Sequence, residues 1–114
     1  MARKRKDEGV IESGGNVFAD MGLPDPEGEL TKAQLAGHIR ETIRRRRLTQ
    51  IAASKLMGID QPKVSALLNG RLANFSAERL MKFLVALGQD VEISVRVKPR
   101  GRERGRIRVV GEAA

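Results

Sequence analysis

A chain of 114 residues is long enough for one compact domain with a tail or two, and too short for a large enzyme carrying a separate regulatory part. It has three Phe and no Trp, Tyr or Cys, which excludes a disulfide framework and a thiolate metal site, and leaves a core of Leu, Ile, Val, Met and Ala that suits short packed helices better than a β-sandwich. Lys and Arg outnumber Asp and Glu by 22 to 14, a formal charge of +8, so nucleic acid is the first partner to consider.

No apolar run is long enough to cross a bilayer. The basic start Arg3-Lys4-Arg5-Lys6 leads into Asp7-Glu8-Gly9 rather than into the apolar stretch of a signal peptide. The expectation is a cytoplasmic protein with no membrane partner. Residues 1–24 mix charges with Gly14-Gly15-Asn16 and carry a small apolar cluster, Val17, Phe18, Met21 and Leu23. That is too little for a core, and it reads as a flexible N-terminal arm whose cluster either folds onto a partner or packs back on the first helix.

Regular structure begins at Pro24-Asp25-Pro26, where Asp25 can cap a helix that opens on Pro26. Thr31, with Gln34 at capping-box spacing, is the fallback start. Leu35, Ile39 and Ile43 recur every four residues beside Ala36, a single apolar stripe. The helix ends in Arg44-Arg45-Arg46-Arg47, cations that either cap its carbonyl end or add a phosphate contact. His38 stands without a second ligand at metal spacing and is given neither a metal nor a function.

Thr49 can cap a short helix from Gln50 to Met57 that Gly58 stops in a left-handed conformation. Asp60 caps the next, which accepts Pro62 near its start, buries Val64, Leu67 and Leu68, and stops at Asn69-Gly70. Ser76 opens a fourth helix with Leu80, Phe83, Leu84 and Leu87 inward, closed by Gly88.

The period then changes to two. Val91, Ile93, Val95 and Val97 alternate with Glu92, Ser94, Arg96 and Lys98, the pattern of a half-buried strand. Its partner is Ile107 to Val110, another protein, or its own copy in a second subunit, and the second subunit is favoured for the main pairing. The tail, with Arg100, Arg102, Arg104, Arg106 and Arg108 among glycines, either stays mobile or lies along phosphates. The organisation read from the sequence is an arm over 1–24, a helical domain over 25–90, a dimerisation strand over 91–98 and a basic flexible tail over 99–114.

In the run from Leu48 to Arg71, the small residues Ala53 and Ser54, the turn at Gly58, and the apolar Ile59, Val64 and Leu67 fall where two short helices must cross closely. Thr49-Gln50, Ala53, Met57-Gly58-Ile59, Gln61-Pro62-Lys63-Val64-Ser65, Leu67 and Asn69-Gly70-Arg71 resemble the DNA-binding helix-turn-helix of the XRE/Cro family, to which the phage lambda repressor belongs. The resemblance covers about residues 30–88 and implies a mainly α, lambda-repressor-like domain of four to five helices, here followed by a C-terminal β-strand used for dimerisation. Ser54 stands where that family usually has alanine, and Ile51-Ala52 where it usually has acidic or polar residues. Ile51 is thereby left to meet helix one or a partner.

By this resemblance Gln50 and Asn69, with Thr49 and Arg71 beside them, hold phosphates without reading sequence, or Gln50 and Asn69 hold the neighbouring glutamine. Gln61, Lys63 and Ser65, with Ala66 beside them, face base edges, where Gln can pair with adenine and Lys with guanine. The plainer roles are helix capping for Gln61 and a bond to an earlier carbonyl for Ser65, while Lys63 has no structural excuse.

Asn16-Val17-Phe18-Ala19-Asp20-Met21-Gly22-Leu23-Pro24, then Phe75-Ser76-Ala77-Glu78-Arg79-Leu80 and the Val91 to Val97 stretch, resemble the HigA-type antitoxins. That resemblance implies a dimer that represses its own toxin-antitoxin operon and binds a RelE/HigB-type toxin, with Val17, Phe18, Met21 and Leu23 as the toxin contact. The alternative is a solitary phage-type regulator with no toxin. Enzymatic chemistry has little to stand on: one His, no paired carboxylates at useful spacing, and no phosphate-cradling glycine loop, and no cofactor is expected. Single-stranded RNA binding would need exposed aromatic platforms, and the three Phe lie elsewhere.

Overall fold

The computed structural model describes residues 25–98, 100–101 and 104–111. Four helices follow one another: α1 (Pro26–Arg45), α2 (Gln50–Met57), α3 (Gln61–Leu68) and α4 (Ala77–Ala86). None of them is long and apolar enough to cross a membrane.

Asp25 caps α1, its Oδ1 accepting from the Gly28 N–H at 3.1 Å. Thr31, the fallback start, is instead buried inside the helix and donates its hydroxyl to the Glu27 carbonyl at 2.9 Å. Leu35, Ala36, Ile39 and Ile43 are buried as the stripe requires, and Thr42 joins them by donating to the His38 carbonyl at 2.8 Å. α4 lies along α1, adding Leu80, Phe83 and Leu84, with Leu87 at its end. The α2–α3 pair closes one side through Ala53, Met57, Val64 and Leu67, and the loop after α3 contributes Leu72 and Phe75. Each of the five largest fully buried side chains, Ile39, Leu67, Leu80, Leu87 and Val64, removes enough apolar surface from water to contribute about 1.5–3 kcal/mol.

The arginine run at the end of α1 divides into separate tasks. Arg44 and Arg45 both pair with Glu41 on the same helix, and the hydrogen bond from Arg44 holds the Glu41 carboxyl below the usual carboxylate range. Arg46 Nη1 donates to the Leu87 carbonyl at 2.8 Å, tying the end of α1 to the end of α4. Arg47 makes the turn itself: at φ 55° it occupies the left-handed position usually given to glycine. The Arg47 N–H reaches the Arg44 carbonyl at 3.1 Å and the Leu48 N–H reaches that of Ile43 at 3.0 Å. Replacing Arg47 with glycine should therefore stabilise the domain by roughly 0.5–1 kcal/mol, read as a rise in the urea midpoint of the far-ultraviolet circular dichroism. An unchanged or lower midpoint would mean that its guanidinium makes a compensating contact.

Beyond α4 the chain makes no strand ladder among the described residues. Val91 packs against the core, but Ile93, Val95 and Val97 are 77, 92 and 96% exposed. The alternating pattern is there, and none of the described residues pairs with it: Ile107, at the start of the intrachain candidate, donates its N–H to Glu27 Oε2 at 2.9 Å instead. Residues 104–111, expected as part of a flexible basic tail, return to α1. Val109 packs on the core, and Gly111 lies so close to the His38 ring that a Cβ there would collide with it. Residues 1–24, with the toxin contact expected at Val17, Phe18, Met21 and Leu23, lie outside the described residues.

Candidate nucleic-acid interface

Ala53 is fully buried where α2 and α3 cross, because a larger side chain would push the helices apart. Gly58, at φ 73°, turns the chain between them, its N–H on the Ser54 carbonyl at 2.8 Å with the Ile59 N–H on the same oxygen at 3.2 Å. The side chain of Ser54 fits the crossing by donating to the Ile51 carbonyl at 2.8 Å, while Ile51 itself is 55% exposed rather than packed on α1. Thr49 Oγ1 caps α2 through the Ala52 N–H at 3.0 Å, and Asp60 Oδ1 caps α3 through the Lys63 N–H at 3.1 Å. Because Asp60 does the capping, the Gln61 side chain is left without that task.

α3 buries Val64 and Leu67 completely, so the centre of its outer face is Pro62, Ala66 and Asn69. Gln61 and Ser65 occupy one shoulder of that face. Lys63 occupies the other, about 160° around the axis from either, as two residues at 3.6 per turn require. The four residues expected to face bases are thus brought onto one short helix but not onto one edge of it. Gln61 and Lys63 are exposed, Ser65 and Ala66 half-buried. Among the described residues the side chains of Gln61 and Ser65 make no hydrogen bond and Lys63 makes no ion pair.

The phosphate candidates fall at two corners. Thr49 and Gln50 stand at the start of α2. Asn69 and Arg71 stand at the end of α3, in a stop where the Gly70 N–H meets the Leu67 carbonyl at 3.0 Å and the Arg71 N–H meets that of Ala66 at 2.9 Å. The Asn69 side chain donates one amide hydrogen to the Ser65 carbonyl at 3.0 Å, which fixes its direction and leaves the other hydrogen for a phosphate.

Sequence reasoning missed the neighbouring wall. A cleft of about 570 Å³ opens between α3 and the start of α4, lined by Lys63, Ala66, Arg71, Ala73, Asn74, Phe75 and Arg79. The Arg79 guanidinium lies 5.5 Å from the Phe75 ring centre and 5.4 Å from that of Phe83, and the two rings meet edge to face at 5.8 Å and 77°. Cation–π attraction to two rings holds Arg79 over the cleft. The only sequence signal was the four-residue spacing Phe75, Arg79, Phe83. Lys63, Arg71 and Arg79 have no acidic partner among the described residues, whose ion pairs are all made by Glu27, Glu29, Glu41 and Glu78. From Gln50 to Ser76 the single acid is Asp60. The surface formed by α2, α3 and the cleft is therefore cationic, narrow and convex along α3, a shape and charge that suit the major groove of duplex DNA and its flanking phosphates.

A family model described as a helix-turn-helix domain matches residues 17–96. No curated protein matches the chain. Among solved structures, a chain described as belonging to the XRE family of transcriptional regulators is 54% identical and superposes with a TM-score of 0.73, the match covering 78% of this chain and 100% of that one. With capped α2 and α3 crossing at Ala53 and a polar edge on α3, the geometry and both matches agree: this chain belongs to the helix-turn-helix family of XRE-type, DNA-binding transcriptional regulators.

Proposed function

We propose that the chain is a sequence-specific repressor that binds a palindromic operator as a homodimer, with Gln61, Lys63, Ser65 and Ala66 facing base edges and Thr49, Gln50, Asn69 and Arg71 holding phosphates. The observation that carries this reading is α3 itself. Its inner residues Val64 and Leu67 are fully buried, and the side chains of Gln61, Lys63 and Ser65 are left without partners among the described residues, an arrangement that costs nothing in water and offers donors and acceptors to a groove. One such helix reads only a few base pairs, whereas two held about 34 Å apart read an inverted repeat across one turn of DNA.

The second copy is supported by the exposed row Ile93, Val95 and Val97, an apolar alternation whose backbone finds no ladder among the described residues and which a twin strand would cover. Selection from a random duplex pool should return an inverted repeat. Replacing Ile93 with proline should remove a ladder hydrogen bond and shift the sedimenting mass from dimer to monomer. A single half-site from the selection would overturn the dimer, and an unaltered mass would take the intersubunit pairing away from the Val91 to Val97 stretch.

The finer reading is that this repressor is the antitoxin of a toxin-antitoxin operon, folding residues Val17, Phe18, Met21 and Leu23 onto a RelE/HigB-type toxin. It is supported by the resemblance of the flanking motifs to HigA-type antitoxins and by the apolar character of that cluster. Deleting residues 1–23 should then abolish capture of a toxin encoded in the adjoining reading frame while sparing operator binding. Equal toxin capture by the truncated chain would remove that role, and the absence of such a neighbouring frame would make the chain a solitary regulator.

A further inference from the structure

From Arg96 to Arg108 every cation stands at an even position: Arg96, Lys98, Arg100, Arg104, Arg106 and Arg108 among the described residues. Between 91 and 110 the apolar residues Val91, Ile93, Val95, Val97, Ile107 and Val109 stand at odd positions and Val110 alone at an even one, and Glu92 is the only acid at an even position there. A run of composition-driven basic tail would not keep this period across a turn. In extended backbone, where successive side chains point to opposite faces, such a sequence has one apolar face and one cationic face.

The fold bears on both the direction and the extension of this segment. Val91 and Val109 each pack on the core, and the turn at Arg100-Gly101, with Gly101 at φ 94°, lies nine positions after the first and nine before the second, so the segment leaves the domain and comes back. Ile107 bonds to Glu27 and Gly111 touches His38. Those two α1 residues are separated by eleven helical positions, about 16 Å of helix axis, slightly more than the roughly 14 Å that four extended residues span, so the Glu27 and His38 side chains supply part of the reach. In that returning stretch Val109 packs on the core and Gly111 meets His38, while Arg106 and Arg108, at the alternate positions, are exposed. All six cations are exposed, and only Arg104 has an acidic neighbour among the described residues, Glu27 at 3.9 Å.

We infer that the described residues between Arg96 and Arg108 belong to an out-and-back arm, tied to the domain through Val91 and Val109, whose cations at even positions are a second nucleic-acid contact, one that follows the phosphates of duplex DNA without reading bases. Where the backbone is extended, cations two positions apart stand about 6.6–6.8 Å from each other, and attachment at both ends reduces the entropy lost when the row meets a polyanion. The arm rests on the DNA-binding reading of the domain and extends it: α3 supplies the sequence preference, while the arm supplies salt-dependent affinity shared by every duplex.

The test uses the full chain and a labelled duplex of mixed sequence, roughly 30 base pairs, with binding followed by fluorescence anisotropy between about 50 and 200 mM salt. Each phosphate contact contributes about 0.9 to the slope of log affinity against log salt. Changing all six cations to glutamine should therefore flatten the slope by about 3–5 while leaving the operator preference as it was. Changing only Arg96, Lys98 and Arg100, away from the Glu27 anchor, should flatten it by about 2–3 with no fall in melting temperature. A Lys32→Gln, Lys82→Gln double variant, which removes charge from α1 and α4, should leave it within about one of the wild type. A wild-type slope in both arm variants would overturn the arm and leave the domain's DNA binding standing. A loss of affinity for single-stranded RNA with none for duplex DNA would overturn the arm's assignment to DNA. A wild-type chain with no salt-dependent affinity for the duplex would overturn the arm together with the DNA-binding reading on which it rests.

Discussion

Replacing Leu67 with alanine should lower the stability of the domain by about 2–5 kcal/mol, the range for removing a fully enclosed leucine side chain, which is a large part of the roughly 5–15 kcal/mol that holds a small domain folded. Leu67 is 0% exposed and sits on the inner edge of α3. α2 and α3 are eight residues each, too short to stay helical outside a packed structure. DNA affinity should thus fall in step with the folded fraction rather than independently of it. The check is a urea titration followed by far-ultraviolet circular dichroism, alongside operator binding at the same temperature. Ser65→Ala, on the outer side of the same helix, should move the midpoint by less than about 0.5 kcal/mol. A Leu67→Ala loss under about 1 kcal/mol would mean that the site collapses around the smaller side chain.

The second large effect is on specificity. Gln61→Ala and Lys63→Ala should each cost about 1–3 kcal/mol of discrimination at the base pair that the side chain reads. Because the two residues stand on opposite shoulders of α3, the affected base pairs should differ, and the double variant should relax both. Gln50→Ala and Asn69→Ala should instead weaken every duplex alike, and Asn69→Ala should also lose some stability because its amide bonds the Ser65 carbonyl. Binding measured across a set of single base-pair changes in the selected operator separates these outcomes. A double variant with an unaltered preference would overturn the base-reading assignment.

What the sequence made legible is short in range. The stripes Leu35, Ile39, Ile43 and Leu80, Phe83, Leu84, Leu87 need only the helical repeat, and the caps Asp25, Thr49, Asp60 and Ser76 need only the three residues that follow them; each is in place. The crossing at Ala53 and the turn at Gly58 were readable for the same reason. Arg47 was not, since a basic run at a helix end hides which of its members takes the left-handed turn. The cleft was not legible either. Lys63, Asn74 and Arg79 lie apart in the chain and meet only because the loop after α3 buries Leu72 and Phe75 and so brings the start of α4 alongside α3. The return of residues 104–111 to α1 depends on Val109 finding the core and on room for Gly111 beside His38, and neither fact has any local signature.

The edge-to-face meeting of Phe75 and Phe83 beneath Arg79 gives the molecule a built-in optical probe. With no Trp or Tyr and only three Phe in the chain, near-ultraviolet circular dichroism arises from phenylalanine alone, and these two rings are 4% exposed and fixed against each other. Phe75 lines the cleft beside α3, and Phe83 packs against it. Their fine structure reports, without any label, whether that packing survives in the free protein when Arg79 or a residue of α3 is replaced, in a spectral region where the rest of the protein contributes little.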